Sequence, residues 1–75
     1  MSKKRRLTAL IQREDDGYVS LCPELDIASQ GDTIEEARNN LSEAVTLFFE
    51  TAGPEEIRTR LHAEVYITSL EVSIG

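Results

Sequence analysis

Cys22 and His62 are the one nucleophile–base pair that the sequence offers, since the chain has a single cysteine and a single histidine. Nucleophilic catalysis needs the two side chains in contact, with a third group to orient the base. Here Cys22 stands at a strand end before Pro23, and His62 begins the last strand-like stretch, far away in sequence. We therefore predict a buried thiol, a surface imidazole and no enzymatic activity. The enzymatic alternative would lose its activity on replacement of either residue.

The sequence also lacks the residues that a metal or cofactor site needs. One cysteine and one histidine provide neither a disulfide nor a zinc ligand set. Metal-dependent hydrolysis would need carboxylates that converge on adjacent strands, whereas the acidic residues here cluster in turns and on the helix. The stretch 29–37, SQGDTIEEA, places a glycine before a helix start, where phosphate can bind. Its three carboxylates would repel an anion, and it contains no lysine, so we predict no metal and no cofactor.

The same stretch is better explained as a junction between a strand and a helix. Gly31 is expected to end the strand, and Thr33 is the predicted N-cap of the helix. Glu36 completes a Thr-x-x-Glu capping box, in which each side chain accepts a hydrogen bond from an amide at the helix start. The helix is predicted over residues 34–50. Its apolar stripe at helical spacing comprises Ile34, Ala37, Leu41, Ala44, Val45 and Phe48.

Three strands are predicted before this helix. Residues 7–13 alternate between apolar and polar side chains, and residues 18–21 follow as a second strand. The acidic turn 14–17 joins them into a hairpin, because aspartate tolerates the left-handed conformation and Gly17 supplies a positive φ. Residues 27–30 are predicted to form the third strand of an antiparallel meander.

After the helix, Gly53 is expected to provide a C-cap and Pro54 to prevent continuation, with at most one irregular helical turn in 54–61. Residues 62–74 have a strand-like composition throughout, which gives an α+β fold of order β-β-β-α-β with a final long strand. The apolar side chains of this strand change sides: Leu61, Ala63, Val65 and Ile67 share one side, while Leu70, Val72 and Ile74 share the other. A regular strand cannot bury both sets, so we predict a bulge near 68–69, a departure of the end toward another subunit, or both.

The length of the chain favours self-association. A domain of 75 residues buries only about 60% of the surface that its unfolded chain exposes, so its core is marginal. Small domains gain stability from disulfides, metals or partner subunits, and the first two are excluded here. We predict a homodimer or a higher homo-oligomer. The predicted interface residues are Leu47, which lies off the apolar stripe of the helix, and Leu70, Val72 and Ile74.

The charge is unevenly distributed. The net charge is −6, but residues 1–6 carry four of the eight basic side chains. Residues 7–75, predicted to form a single domain, carry fourteen acidic side chains against four basic ones, which leaves −10. Such a domain repels nucleic acid and attracts a basic partner. The alternative is a nucleic-acid-binding regulator that uses the basic arm 1–6. No stretch has the length of a signal or membrane-spanning segment, so we expect no membrane partner and a cytoplasmic protein.

Residues 17–50, GYVSLCPELDIASQGDTIEEARNNLSEAVTLFFE, resemble the HicB family of antitoxins over thirty-four of the 75 residues. The resembling features are GY after an acidic turn, the CPELD segment, SQGDT-x-EEA and a helix that ends in an aromatic–Glu pair. The closing stretch 65–74, VYITSLEVSI, is similar to the final strand of short members. The resemblance implies a partial ribonuclease-H-like fold without the catalytic carboxylates of the nuclease.

The resemblance also implies a function and a partner. HicB proteins neutralise HicA, a small basic ribonuclease toxin, by covering its RNA-binding surface and its catalytic histidine. We expect the toxin to meet the acidic loops, and the predicted contact residues are Asp15, Asp16, Glu24 and Asp26. Two features depart from the family: residues 26–28 replace a Pro-Gly-Cys turn, and no DNA-binding module follows the helix. We therefore do not expect DNA binding of the operon-repressing kind, and an orphan protein without a toxin remains the alternative.

Overall fold

The structure, a computed structural model, describes residues 5–61 and 64–75. Three strands come first: β1 (Leu10–Glu14), β2 (Gly17–Cys22) and β3 (Ile27–Gly31). Two helices follow them, α1 (Ile34–Thr51) and α2 (Pro54–Leu61). The predicted α+β class is confirmed, with three antiparallel strands ahead of the long helix.

The three strands form a meander in the order β1-β2-β3. Leu10 lies opposite Leu21 in the first pair, and Cys22 lies opposite Ile27 in the second. β1 begins at Leu10 rather than at the predicted Leu7. β2 ends directly before Pro23, as expected for a residue that has no N–H to donate to the ladder.

Both turns of the meander have an aspartate with a positive φ, whereas the prediction for the β1–β2 turn assigned the positive φ to Gly17. Asp15 has a φ of 53° and Asp26 a φ of 55°, so each takes the left-handed conformation that a tight turn requires. Aspartate tolerates this conformation better than most residues, because its short side chain hydrogen-bonds locally. Among the described residues no glycine has a positive φ, so the predicted role of Gly17 was wrong.

Gly17 and Gly31 instead allow close approach between backbones. A Cβ at Gly17 would lie 2.9 Å from the Gly31 carbonyl oxygen. A Cβ at Gly31 would lie only 2.5 Å from the amide nitrogen of Ala37, in the first turn of α1. Gly31 is the last residue of β3, so the strand ends at this glycine as predicted. Its missing side chain also lets α1 pack directly on the strand end.

α1 packs mainly over β3 and β2. The fully buried hydrophobic side chains are Cys22, Leu25, Ala37 and Leu41. Ser20 is also buried, and its hydroxyl donates a 2.8 Å hydrogen bond to the Ala37 carbonyl oxygen. Of the predicted apolar stripe, Ala37 and Leu41 are buried, whereas Ile34 at the helix start remains exposed.

The end of α1 differs from the prediction. Ala52 is the C-cap, its N–H donates to the Phe48 carbonyl, and Gly53 takes no left-handed conformation. The Gly53 carbonyl instead accepts the first α2 hydrogen bond, from the Ile57 N–H at 3.0 Å. Pro54 thus begins α2, since its ring presets the φ of a first helical position. What was expected to be an irregular turn is a helix of 8 residues.

α2 is attached to the rest of the domain by Arg60. Its guanidinium donates to the Leu25 carbonyl in the β2–β3 turn. It also lies over the Phe48 ring, 5.3 Å from the ring centre. These two contacts hold the end of α2 close to the point where β1 begins and β2 ends.

The predicted final strand was wrong. Residues 64–75 form neither strand nor helix in the described part of the chain, and all of them are exposed. The apolar side chains change from one side of the chain to the other near 68–69. This explains why no regular strand forms, because no single sheet face of the same domain can bury both apolar sets. His62 and Ala63, which the prediction included, lie outside the described residues, as do residues 1–4 of the predicted basic tail. No described helix is both long and apolar enough to cross a membrane.

Gly31→Ala tests the close approach between β3 and α1. The new methyl group would press on the backbone of the first helical turn, where no flexible side chain can move away. We expect a loss of about 1–3 kcal/mol in the free energy of unfolding, the usual cost of overpacking. Urea denaturation measures this quantity.

Gly53→Ala is the matched control, because a Cβ at that position meets nothing within 4 Å. Its φ is not positive, so alanine should be neutral or stabilise by up to about 1 kcal/mol through a less flexible unfolded chain. Equal losses from the two substitutions would show that α1 does not depend on a missing side chain at Gly31.

Candidate protein-binding surfaces

An acidic cleft of about 530 Å³ lies where the β1–β2 turn meets the N-terminus of α1. We call it the acidic cleft; its carboxylates are Glu14, Asp15, Asp16, Asp32 and Glu36. The neutral residues that line it include Tyr18 and Asn40, and none of the lining residues is basic. The meander brings the first three acids to this end, and the β3–α1 junction adds the other two.

One of these carboxylates has a structural role. The Glu36 N–H donates to the Thr33 hydroxyl at 3.0 Å, which confirms the predicted N-cap. In return the Glu36 carboxylate accepts a 2.8 Å hydrogen bond from the Asp32 N–H, one residue before the N-cap. The capping box is therefore present, with the return bond displaced by one residue from the usual N-cap amide.

The other carboxylates of the acidic cleft are available to a partner. Asp15, Asp16 and Asp32 are exposed, and the one salt bridge between described residues joins Arg58 to Glu55, on α2. The nearby Arg13 guanidinium lies over the Tyr18 ring, 5.7 Å from its centre. A cation that entered the cleft would thus meet several carboxylates without first displacing an ion pair.

Glu24 stands at the opposite end of the sheet, in the β2–β3 turn, and contacts its own chain. Its carboxylate accepts hydrogen bonds from the Thr8 hydroxyl at 2.7 Å and from the Thr8 N–H at 3.1 Å. Burial alone would raise the pKa of Glu24, but the hydrogen bonds from Thr8 and from its own backbone outweigh burial and lower that pKa. The carboxylate thereby fixes the chain that leads into β1.

Cys22 is the candidate nucleophile, and it lies in the core at 1% exposure. Burial raises the pKa of its thiol, and the neighbouring Glu24 carboxylate, which accepts a hydrogen bond from the thiol at 3.6 Å, acts in the same direction. The reactive thiolate form is therefore disfavoured. The predicted buried thiol is confirmed, whereas the predicted surface position of His62 lies outside the described residues.

A second cavity, of about 1060 Å³, opens between the lead-in to β1, α1 and α2. We call it the basic-rimmed groove. Its apolar lining includes Leu7, Leu41, Val45, Phe49, Ile57 and Leu61. Its charged lining residues are Arg5, Arg6 and Arg38 against a single acid, Glu50.

The structure divides the four acids that the sequence proposed as partner contacts. Asp15 and Asp16 lie in the acidic cleft, while Glu24 and Asp26 lie in the turn at the other end of the sheet. Of the four proposed interface residues, Leu47 is 58% exposed on α1 but lines neither cavity. The other three, Leu70, Val72 and Ile74, are exposed in the C-terminal residues.

Sequence reasoning missed two features of these surfaces. Asp32 and Glu36 were assigned to the helix start, although the alternation of strands and turns was sufficient to place that start beside the 14–17 turn. The basic rim had no signal in the sequence, because Arg38 is far from Arg5 and Arg6 along the chain. The lining of the groove brings the three together.

Comparison with known proteins finds two proteins that are similar to this chain. Over 63 residues the chain is 46% identical to the UPF0150 protein ssl0738 of Synechocystis sp., covering 81% of this chain and 86% of the relative. Over 46 residues it is 48% identical to the UPF0150 protein ssr1765 of the same organism, covering 59% of this chain and 58% of the relative. No family model and no solved structure matches the chain.

Glu24→Gln tests the lowered pKa of the Glu24 carboxyl. A carboxyl whose pKa is lower in the folded state stabilises the protein above its unfolded pKa of about 4.3, and this contribution disappears as the pH falls through the folded pKa. We expect the variant to be about 1 kcal/mol less stable at pH 7 and its deficit to shrink below about pH 4. Urea denaturation at a series of pH values measures both quantities.

Thr8→Val serves as the partner variant, since it removes the hydroxyl that donates to Glu24. Thr8→Val removes the hydroxyl donor, and Glu24→Gln replaces the charged acceptor of the same hydrogen bond. The sum of the two single losses should therefore exceed the loss in the double variant. Strictly additive losses, or a deficit of Glu24→Gln that stays constant with pH, would contradict the role of this contact.

Cys22 should react slowly with a thiol reagent such as iodoacetamide. Its burial excludes the reagent, and its raised pKa lowers the thiolate population. We expect alkylation in native buffer at least about a hundredfold slower than in denaturant, where the thiol has an ordinary pKa of about 8.5. Mass spectrometry over time gives the rate, and equal rates would mean an accessible, reactive thiol.

Proposed function

We propose that this chain, which belongs to the UPF0150 family, is a non-catalytic cytoplasmic protein that neutralises a small basic ribonuclease toxin. The single observation that carries the proposal is the acidic cleft, where five carboxylates line one concave surface and no lining residue is basic. Such a surface fits a cationic partner and repels the phosphates of nucleic acid.

The nature of the partner follows from the resemblance of residues 17–50 to HicB antitoxins. The names of the two Synechocystis relatives give the family alone, and the toxin enters only through that resemblance. A HicA-type toxin carries positive charge because it binds RNA. An acidic protein that covers its RNA-binding surface and its catalytic histidine competes directly with the substrate, and it needs no chemistry of its own.

An acidic cleft would affect both the rate of association with the toxin and the choice of partner. Complementary potentials raise the rate of encounter, and unlike partners are rejected because juxtaposed like charges cost free energy. The positive N-terminal end of α1 would attract anions, but Asp32 and Glu36 offset it at the cleft. A cationic side chain of the toxin, arginine above all, can then take the place that a phosphate would occupy at an unprotected helix start.

The proposal predicts that Asp15→Asn with Asp16→Asn weakens binding. Asparagine tolerates the left-handed conformation of Asp15, so the turn should keep its shape while the cleft loses two charges. We expect the dissociation constant for a catalytically inactive HicA-type toxin to rise about tenfold, which is 1.4 kcal/mol. Isothermal titration calorimetry at two salt concentrations should also show a weaker salt dependence for the variant.

Glu43→Gln with Glu56→Gln is the matched control, since both residues are exposed, carry the same charge and line neither cavity. It should leave the dissociation constant within about twofold. Equal weakening by both pairs would attribute binding to net charge alone and remove the cleft from the proposal. Asp26→Asn, at the far end of the sheet, is likewise expected to have no effect.

The alternative function, a nucleic-acid-binding regulator, uses the basic arm 1–6. It would show binding to RNA or DNA with a shallow salt dependence that disappears when the arm is deleted. Binding of single-stranded RNA by the full chain, together with no binding of the toxin, would favour this alternative over the proposed function.

A further inference from the structure

The C-terminal segment, residues 64–75, carries an apolar surface that the described chain does not cover. Nine large hydrophobic side chains of the described residues are exposed, and six of them lie in this segment. Leu70 is 87% exposed and Ile74 is 94% exposed. Single exposed hydrophobic residues are ordinary, but six within one short stretch indicate a binding surface.

The basic-rimmed groove is the matching surface on the same chain. Its apolar floor is formed by α1 and α2 residues such as Val45, Phe49 and Ile57, none of which is fully buried. The adjoining strand β1 has a strand neighbour on one side only within the described sheet, so its other edge presents unpaired backbone groups. An added strand can pair with such an edge and place alternate side chains over the groove.

Charge also matches the segment to the groove. The segment contains Glu64 and Glu71 and no basic residue. The groove presents Arg5, Arg6 and Arg38 against one acid, although the chain as a whole is strongly acidic. A segment with two acids would thus meet a cavity whose charged lining is mainly basic.

The segment does not fill the groove of its own chain. Leu61, the last residue of α2, lines the groove, yet the residues from 64 onward are exposed. A second copy of the chain has the same segment and the same groove. If the segment of each copy lies in the groove of the other, both grooves are filled and the assembly closes with two-fold symmetry.

We infer that the chain forms a two-fold dimer in which the C-terminal segment of each copy lies along β1 and in the basic-rimmed groove of the other. This inference goes beyond the proposed function, because the dimer contact uses the groove and leaves the acidic cleft open. It also gives Arg5 and Arg6 a role at the rim of a protein interface rather than on nucleic acid.

Sedimentation equilibrium of the full chain tests the dimer. We expect twice the mass of one chain, 8.4 kDa, at micromolar concentration. Leu70→Asp with Ile74→Asp should give the monomer mass, because two charges would enter the apolar groove. Leu47→Asp is the matched control: it changes an exposed leucine of α1 that lies outside the groove, and it should leave the dimer intact.

Three results would overturn the inference. A wild-type chain at the monomer mass would mean that the segment packs on its own chain or stays exposed. A segment variant that stays dimeric would place the interface elsewhere. Dissociation by Leu47→Asp instead would assign the contact to the outer face of α1.

Hydrogen exchange of the wild-type chain provides a readout that needs no variant. Amides of residues 65–74 should be protected when the dimer predominates and should lose that protection on dilution below its dissociation constant. Protection that does not change with concentration would mean that the segment packs within one chain, and it would contradict the proposed dimer. An unprotected segment at every concentration would contradict the proposed dimer as well.

Reversal of charge tests the rim. Arg5→Glu with Arg6→Glu should raise the dimer dissociation constant about three- to tenfold, as expected for exposed ion pairs. Adding Glu64→Arg and Glu71→Arg to the same chain should return the dissociation constant to the wild-type value, because the charges are then exchanged between the same two surfaces. If the second pair does not restore the dimer, the arginines of the rim do not contact the segment.

Discussion

The packing of α1 on the sheet depends on the absence of a side chain at Gly31. The 2.5 Å that would separate a Cβ there from the Ala37 nitrogen leaves no room for any other residue without movement of the helix. Because the helix sits this close, Ser20 can reach the Ala37 carbonyl, and Asn40 can donate a 2.7 Å hydrogen bond to the Gln30 carbonyl at the strand end. The same contact places Asp32 and Glu36 beside the β1–β2 turn, and so it creates the acidic cleft.

Only four hydrophobic side chains are buried among residues 5–61 and 64–75, so the domain relies on polar contacts at its ends. The capping box fixes the start of α1, the Glu24–Thr8 contact fixes the entry to β1, and Arg60 fixes α2. Each such contact contributes about 1 kcal/mol, which is a large fraction of the stability of a small domain. A core of this size also explains why so much apolar surface remains at the groove and in the C-terminal segment.

Local patterns in the sequence predicted the elements whose causes are local. The hairpin, the third strand, the Thr33 cap and the buried Cys22 follow from alternation, from Pro23 and from the Thr-x-x-Glu spacing, and the structure contains all of them. The roles of the glycines were predicted less well, because turn statistics favour glycine for positive φ, whereas here aspartate takes that conformation. The need for Gly31 arises from a contact with α1, and such a contact is not visible in a local pattern.

The C-terminal residues show more clearly what local sequence patterns cannot predict. Their β-branched alternation predicted a strand, and composition alone cannot supply the neighbouring strand that a lone strand requires. The four predicted contact acids were likewise chosen by type and by loop position. In an antiparallel meander successive turns lie at opposite ends, which separates Asp15 and Asp16 from Glu24 and Asp26. Topology rather than composition therefore decides which charges act together.

The separation of the two surfaces also bears on specificity. A protein with an acidic cleft and a basic groove could associate head to tail, cleft on groove, and form open chains. The linings of the cavities argue against that contact, because the acidic cleft offers polar side chains and few apolar ones, whereas the groove is apolar beneath its basic rim. Among the described residues, the C-terminal segment combines two acids with six of the nine exposed large hydrophobic side chains. Charge attracts both the acidic cleft and the C-terminal segment to the arginines of the groove. Only the segment also buries apolar area there, so the segment binds the groove and the acidic cleft stays free for a cationic partner.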